Sequence, residues 1–147
     1  MTTEKRILIV EDDPGIRELL AELAKREGIA YDIAEDGQQA INHLEKNDYS
    51  ILLLDLMLPK MSGYNILQFL RNKPQGSKAS VIVVTANADD FMRRVDPNVV
   101  DAIIRKPFDV EEMRRLILSK LGGDAGADAT VRMKVQNPGE GDKTRSS

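Results

Sequence analysis

Four short apolar runs in this chain each end on polar residues: Ile7-Leu8-Ile9-Val10 leads into Glu11-Asp12-Asp13, Ile51-Leu52-Leu53-Leu54 into Asp55, Val81-Ile82-Val83-Val84 into Thr85, and Ala102-Ile103-Ile104 into Arg105-Lys106-Pro107. Runs of this length, rich in Ile and Val and without polar alternation, suit strands buried on both faces of a parallel sheet. Such sheets place their ligand sites just beyond the carboxyl ends of the strands. The pattern therefore predicts that carboxylates, a hydroxyl and a lysine converge on one edge.

Helical signals fill the gaps between the runs. Asp13 followed by Pro14 reads as an N-cap with proline at the first helical position, and Ile16, Leu19, Leu20 and Leu23 then recur at helical spacing until Gly28. Tyr31-Asp32-Ile33-Ala34 reads as a further strand, and Asp36-Gly37 opens a helix with Ala40, Ile41 and Leu44 on one face, fading near Asn47-Asp48. A loop over Leu56 to Ser62, with Gly63 at its end, precedes a helix carrying Tyr64, Leu67 and Leu70, which Pro74 and Gly76 close. A helical stretch from about Ala88 to Val95 is cut by Asp96-Pro97, and the last strand covers roughly 101–104. Asp109 with Glu112 forms a capping box for a final helix through Met113, Leu116, Ile117 and Leu121, ended by Gly122-Gly123.

Five strands alternating with helices imply a doubly wound α/β domain, a parallel sheet with helices on both faces, because each parallel crossover requires a helix-length connection. Periodicity leaves the strand order open. The flavodoxin-like (βα)5 order 2-1-3-4-5 places strands one and three side by side at the switch point, which makes Glu11, Asp12 and Asp55 neighbours. At 147 residues and 41% hydrophobic content the chain suits one folded domain over 1–121. Residues 122–147, rich in Gly, Asp, Ala, Ser and charge, read as a disordered tail.

A net charge of −3 argues against a nucleic-acid partner, and the absence of cysteine excludes disulfides, thiolate metal sites and cysteine nucleophiles. Only four apolar residues precede Glu11, too few for a secretory signal or a membrane span, so no membrane insertion and a cytoplasmic location are expected.

Three carboxylates gathered without a counterion repel one another, so the arrangement makes sense around a hard divalent cation. Magnesium is the natural candidate, because it takes one or two carboxylates, keeps several waters and accepts a backbone carbonyl or phosphate oxygen. Asp55, placed centrally, suits a nucleophile that attacks a phosphoryl group to give an aspartyl phosphate. Lys106 offers a compact positive charge to a phosphoryl oxygen, and the Thr85 hydroxyl a hydrogen bond to another. Singly, each residue has a plainer reading: Asp12 and Asp13 as acids at a helix start, Asp55 as a turn residue, Thr85 as a cap, Lys106 as a solvated lysine. Their occurrence together at four strand ends favours the site.

These residues resemble the receiver domain of two-component response regulators, of the stand-alone chemotaxis-regulator type. The likeness covers about residues 5–121 and rests on Val10-Glu11-Asp12-Asp13, Leu54-Asp55-Leu56-Met57-Leu58-Pro59 with Gly63 eight positions after Asp55, Thr85-Ala86, and Lys106-Pro107-Phe108, in that order. The resemblance implies that Asp55 accepts a phosphoryl group from a histidine kinase or histidine phosphotransfer protein. It also implies that Asp12 binds Mg²⁺ directly with Asp55, that Glu11 acts through water, and that the backbone carbonyl of Met57 is the third protein ligand. A downstream target protein, rather than DNA, is the expected partner for output.

Two departures concern output. The aromatic residue usual three positions before the lysine is Ile103 here, and Thr85 to Lys106 spans 21 positions, one fewer than the family pattern, with Pro97 inside the stretch. An isoleucine, stiff at its first torsion, cannot reproduce a threonine–aromatic coupling. Asn87 lies where the family varies a residue that tunes phosphoryl lifetime. Two rival functions follow. A haloacid-dehalogenase-like phosphohydrolase places a second aspartate two residues after the nucleophile, but that position is Met57. A phosphorylation-independent pseudo-receiver is favoured by Ile103 and opposed by the intact acidic set. Lone His43 has no partner cluster and reads as a surface residue, and Met57, Met61, Met92 and Met113 read as loop or core fillers.

Overall fold

The computed structural model of the chain describes residues 5–58, 60–72, 79–94, 98–122 and 135–136. In chain order the elements are β1 (Arg6–Val10), α1 (Pro14–Arg26), β2 (Ala30–Ala34), α2 (Gly37–Lys46), β3 (Ile51–Asp55), α3 (Gly63–Arg71), β4 (Ser80–Thr85), α4 (Ala88–Arg94), β5 (Ala102–Arg105), α5 (Val110–Gly122) and β6 (Val135–Gln136). The strands form one sheet in the order β2-β1-β3-β4-β5-β6. Every pairing is parallel, and Val10 stands level with Leu54, Asp55 with Val84 and Thr85 with Arg105. This is the expected order 2-1-3-4-5 with a two-residue sixth strand added beside β5. That strand comes from the stretch 122–147 expected to be a tail, of which Gly122 is the last residue of α5 and the residues other than these three lie outside the described ones, as do Pro59, Pro74, Gly76, Val95 and Asp96-Pro97.

The apolar runs are buried on both sides of the sheet because alternate residues of a strand point to opposite faces. Leu8, Val10, Leu52, Leu54, Val81 and Val83 pack with Ala40, Leu44, Ile66, Leu67, Ala88 and Phe91 from α2, α3 and α4. Ile7, Ile9, Ile51, Leu53, Ile82 and Val84 face the other way, onto Leu20 and Leu23 of α1 and Met113, Leu116 and Ile117 of α5. Among the described residues no helix is long and apolar enough to cross a membrane.

Local signals set the helix ends. The Asp13 carboxylate accepts hydrogen bonds from the Gly15 and Ile16 amides, with Pro14 beginning α1 as expected. Gly28 turns the chain out of α1 at φ +69°, a conformation that costs glycine little. Two local expectations for α1 and α5 differ from the structure. Leu19 is 39% exposed, because the buried stripe of α1 is Leu20, Ala21, Leu23 and Ala24. The cap of α5 is made by Asp109 accepting from the Glu111 amide, one residue earlier than the capping-box pattern.

At the amino-terminal end of the sheet, the Tyr49 hydroxyl donates to Asp32 at 2.7 Å, and the Arg6 guanidinium lies 3.4 Å from the same carboxylate. Burial and Asp32 push the Tyr49 phenol well above its usual range, so it stays a donor. His43 is half-buried rather than a surface residue; its Nε2 sits 3.2 Å from the Ile33 carbonyl oxygen, pinning α2 to β2.

Candidate phosphoryl and metal site

Three strand ends supply the site. Carboxylate oxygens of Glu11 and Asp12, after β1, and of Asp55, ending β3, lie within 4.8 Å of one another. Lys106, just after β5, reaches back across β4, its Nζ 3.2 Å from Glu11 and 3.5 Å from Asp55. These groups line an open cleft of about 500 Å³ with Asp13, Pro14, Met57 and Ala86. The structure thus brings together Glu11, Asp12, Asp55, Lys106 and Met57 of the expected set. Thr85 is adjacent but does not line the cleft. Its buried hydroxyl accepts a hydrogen bond from the Asn87 amide at 3.1 Å.

The chain holds each group by backbone as well as packing. The Glu11 carboxylate accepts the Asp13 amide, and one Asp55 oxygen accepts the Met57 amide at 3.1 Å. The Lys106 amide donates to the Thr85 carbonyl, and the Lys106–Pro107 peptide is cis. Gly63 lets α3 begin against the end of β3, since a Cβ there would meet the Leu56 Cα at 2.7 Å and the Asp55 carbonyl oxygen at 2.9 Å. Arg17, absent from the sequence expectations, donates to the carbonyls of both Glu11 and Asp12 and lies 3.8 Å from Glu35. A cation in the first turn of a helix opposes the helix dipole, and that mismatch was the available signal for a residue bound outside its own helix.

Charge is crowded here. Glu11 is 1% exposed, and burial, then the neighbouring Asp55 carboxylate, push its pKa from an ordinary 4.5 up to about 7, against the opposing pull of Lys106. Two buried acids with one lysine between them form a hard-oxygen donor set short of positive charge, which fits a small divalent cation.

In cation-free buffer the folded state favours protonated Glu11, so the stability this group contributes is present below about pH 4.5 and lost as pH rises to about 7. Glu11→Gln is therefore expected to stabilise the protein in EDTA at pH 8 by about 2 kcal/mol and to change little at pH 5. Paired thermal melts at the two pH values check this. Equal effects at both would mean that Glu11 carries no such strain.

Comparisons with known proteins agree with this geometry. The sequence matches the response regulator receiver domain family over residues 7–118. It is 34% identical over 142 residues to the sensory transduction protein RegX3 of Mycolicibacterium smegmatis, covering 88% of this chain and 61% of that one. The chain spans about half to three fifths of the length of the first curated relatives it matches. The structure of response regulator TrrA from Thermotoga maritima in complex with Mg²⁺-BeF superposes with a TM-score of 0.69 at 30% identity, covering 79% of this chain and 98% of that one. The receiver domain of a sensor histidine kinase from Pseudomonas aeruginosa, with a magnesium ion in its active-site cleft, gives a TM-score of 0.72 at 27% identity, covering 82% and 99%. With the sheet order, the strand-end residues and the matched span in agreement, this chain belongs to the response regulator receiver domain family.

Proposed function

We propose that this chain is a cytoplasmic phosphoryl-accepting switch in which Asp55 takes a phosphoryl group from a phosphohistidine on a histidine kinase or histidine phosphotransfer protein. The observation that carries the reading is the placement of the Asp55 carboxylate at the end of the central strand, 3.5 Å from Lys106 and in one cleft with Glu11 and Asp12. An Asp55 oxygen attacks phosphorus, the phosphorus–nitrogen bond breaks, and its electron pair returns to the donor imidazole. Lys106, already between two carboxylates, follows the added negative charge and donates to a phosphoryl oxygen. The Thr85 hydroxyl accepts from Asn87, which leaves its own hydrogen available to a second phosphoryl oxygen.

The residues suited to hold Mg²⁺ are Asp12 and Asp55, the Met57 backbone carbonyl, and Glu11 through water. Bound there, the ion supplies positive charge that offsets the incoming phosphoryl oxygens. Chemistry is confined to the chain's own phosphorylation and the hydrolysis of its aspartyl phosphate, and the output is a contact with a downstream target protein.

Ile103 supports a second reading, a phosphorylation-independent interaction module. It is 8% exposed and packed in the core with Phe91 and Val83, where it presents neither ring nor hydroxyl to a moving threonine. Incubation with acetyl phosphate, with Mg²⁺ or with EDTA, separates the two by intact mass. A gain of one phosphoryl group only when Mg²⁺ is present is the expected result. No gain in folded protein under either condition would select the second reading.

A further inference from the structure

We propose that Gly37, the first residue of α2, is a positioning residue for the loop that follows the phosphoacceptor, an inference that rests on the function proposed above. The loop from Leu56 to Ser62 joins Asp55 to α3, and its far side lies on the amino-terminal end of α2. A Cβ on Gly37 would come within 2.6 Å of both the Met61 Cβ and the Met61 carbonyl oxygen. Real side chains do not approach that closely, and the carbonyl, being backbone, cannot rotate aside. Any residue but glycine at 37 therefore displaces the loop or the helix.

Displacement at Met61 has few places to go. Two residues on, Gly63 donates to the Leu56 carbonyl and is itself packed against the Asp55 carbonyl oxygen. At the other end, the Met57 amide is bonded to the Asp55 carboxylate. Lys60 between them has φ +68°, a conformation that a lysine adopts only when its surroundings impose it. Its Nζ lies 3.4 Å from Asp36, the residue capping α2. With the lysine side chain 72% exposed, that ion pair is a weak anchor, which leaves the close packing of Gly37 on Met61 as the stronger restraint. A shift of the loop moves the Met57 carbonyl and the Asp55 carboxylate, the two groups on β3 and its loop that the proposed site uses.

The test compares wild type, Gly37→Ala and Gly37→Ala/Met61→Gly, with Gly122→Ala as a control, because a Cβ at Gly122 meets nothing within 4 Å. Mg²⁺ affinity is read by calorimetry and phosphoryl uptake from acetyl phosphate by intact mass, both on protein shown to be folded at the assay temperature. Gly37→Ala is expected to slow uptake about tenfold and to weaken Mg²⁺ binding about fivefold, as a small misplacement of reacting groups does. Removing the Met61 side chain should restore part of both losses, and the control should match wild type. A Gly37→Ala protein that only melts earlier, with uptake and Mg²⁺ affinity within twofold of wild type, overturns the inference. Should that variant not fold, hydrogen exchange of wild type decides. Mg²⁺ is expected to protect the amides of residues 57, 58 and 60–63 and those of the first turn of α2 together, and protection confined to the loop amides overturns the proposal. Absence of Mg²⁺-dependent uptake in wild type would instead remove the underlying function, and the inference with it.

Discussion

Asp55→Ala is expected to take up no phosphoryl group from acetyl phosphate, with the rate falling below roughly one part in 10³ of wild type, because the function proposed above makes this carboxylate the attacking group. Asp12 is its near neighbour among the carboxylates but sits after β1, exposed, while Asp55 ends the central strand and is itself buried. Asp12→Ala should keep the nucleophile yet lose most uptake and the dependence of the remainder on Mg²⁺. Neither loss can be charged to unfolding if the variants melt normally. Removing Asp55 also removes the charge that ranks second in raising Glu11, so the Glu11 pKa should fall back toward the ordinary range in Asp55→Asn. Intact mass after a fixed incubation, with a pH titration of Glu11 by NMR, checks both parts. Undiminished uptake by Asp55→Ala would place the phosphoryl group elsewhere and sink the assignment.

Phe91→Ala carries the largest expected cost in stability, about 3–5 kcal/mol. The helix α4 has seven residues, too few to persist in water without tertiary packing. It is held by Ala88 and Phe91, both with no exposed surface, in a cluster that includes Ile103 and Val83. The Phe91 ring lies 5.8 Å from that of Tyr64, and the Arg94 guanidinium covers the same tyrosine at 5.4 Å, tying α4 to α3. A loss of that size is a large part of the stability of an ordinary domain. Urea denaturation should show the midpoint shifted strongly with the slope unchanged, and Phe91→Leu should recover much of the loss. A change under about 1 kcal/mol for Phe91→Ala would mean that α4 does not rely on this contact.

What could be read from the sequence divides along physical lines. The runs at 7–10, 51–54, 81–84 and 102–104 are legible because burial on both faces leaves no polar residue in them, and Asp55, Thr85 and Lys106 stand out by ending them. Asp13-Pro14 and Asp36-Gly37 mark their helices because capping is local. Long-range contacts leave no such trace. Arg17 gives only the faint cue of a cation in the first turn of α1, and its partners emerge once the carbonyls of Glu11 and Asp12 are placed beside it. Leu19 fits the apolar spacing as well as Leu20 does, and only the direction of α1 over the sheet decides between them. The closeness of Gly37 to Met61 depends on the start of α2 meeting a loop in space, 24 positions away in sequence. Val135 and Gln136 close the stretch Val131-Arg132-Met133-Lys134-Val135-Gln136, whose alternation of apolar and polar residues is a strand signal that the reading of a tail from composition passes over.

The network of Tyr49, Asp32 and Arg6 sits at the opposite end of the strands from Asp55, and this has a consequence for how the fold tolerates change. The parallel sheet keeps the cleft carboxylates and Lys106 on one rim and a polar clasp on the other, and the two share no residue. A substitution in the cleft lining therefore leaves Tyr49, Asp32 and Arg6 in contact, and the far rim ties β1 to β2 independently of the cleft. Tolerance of this kind separates what the protein says from what keeps it folded.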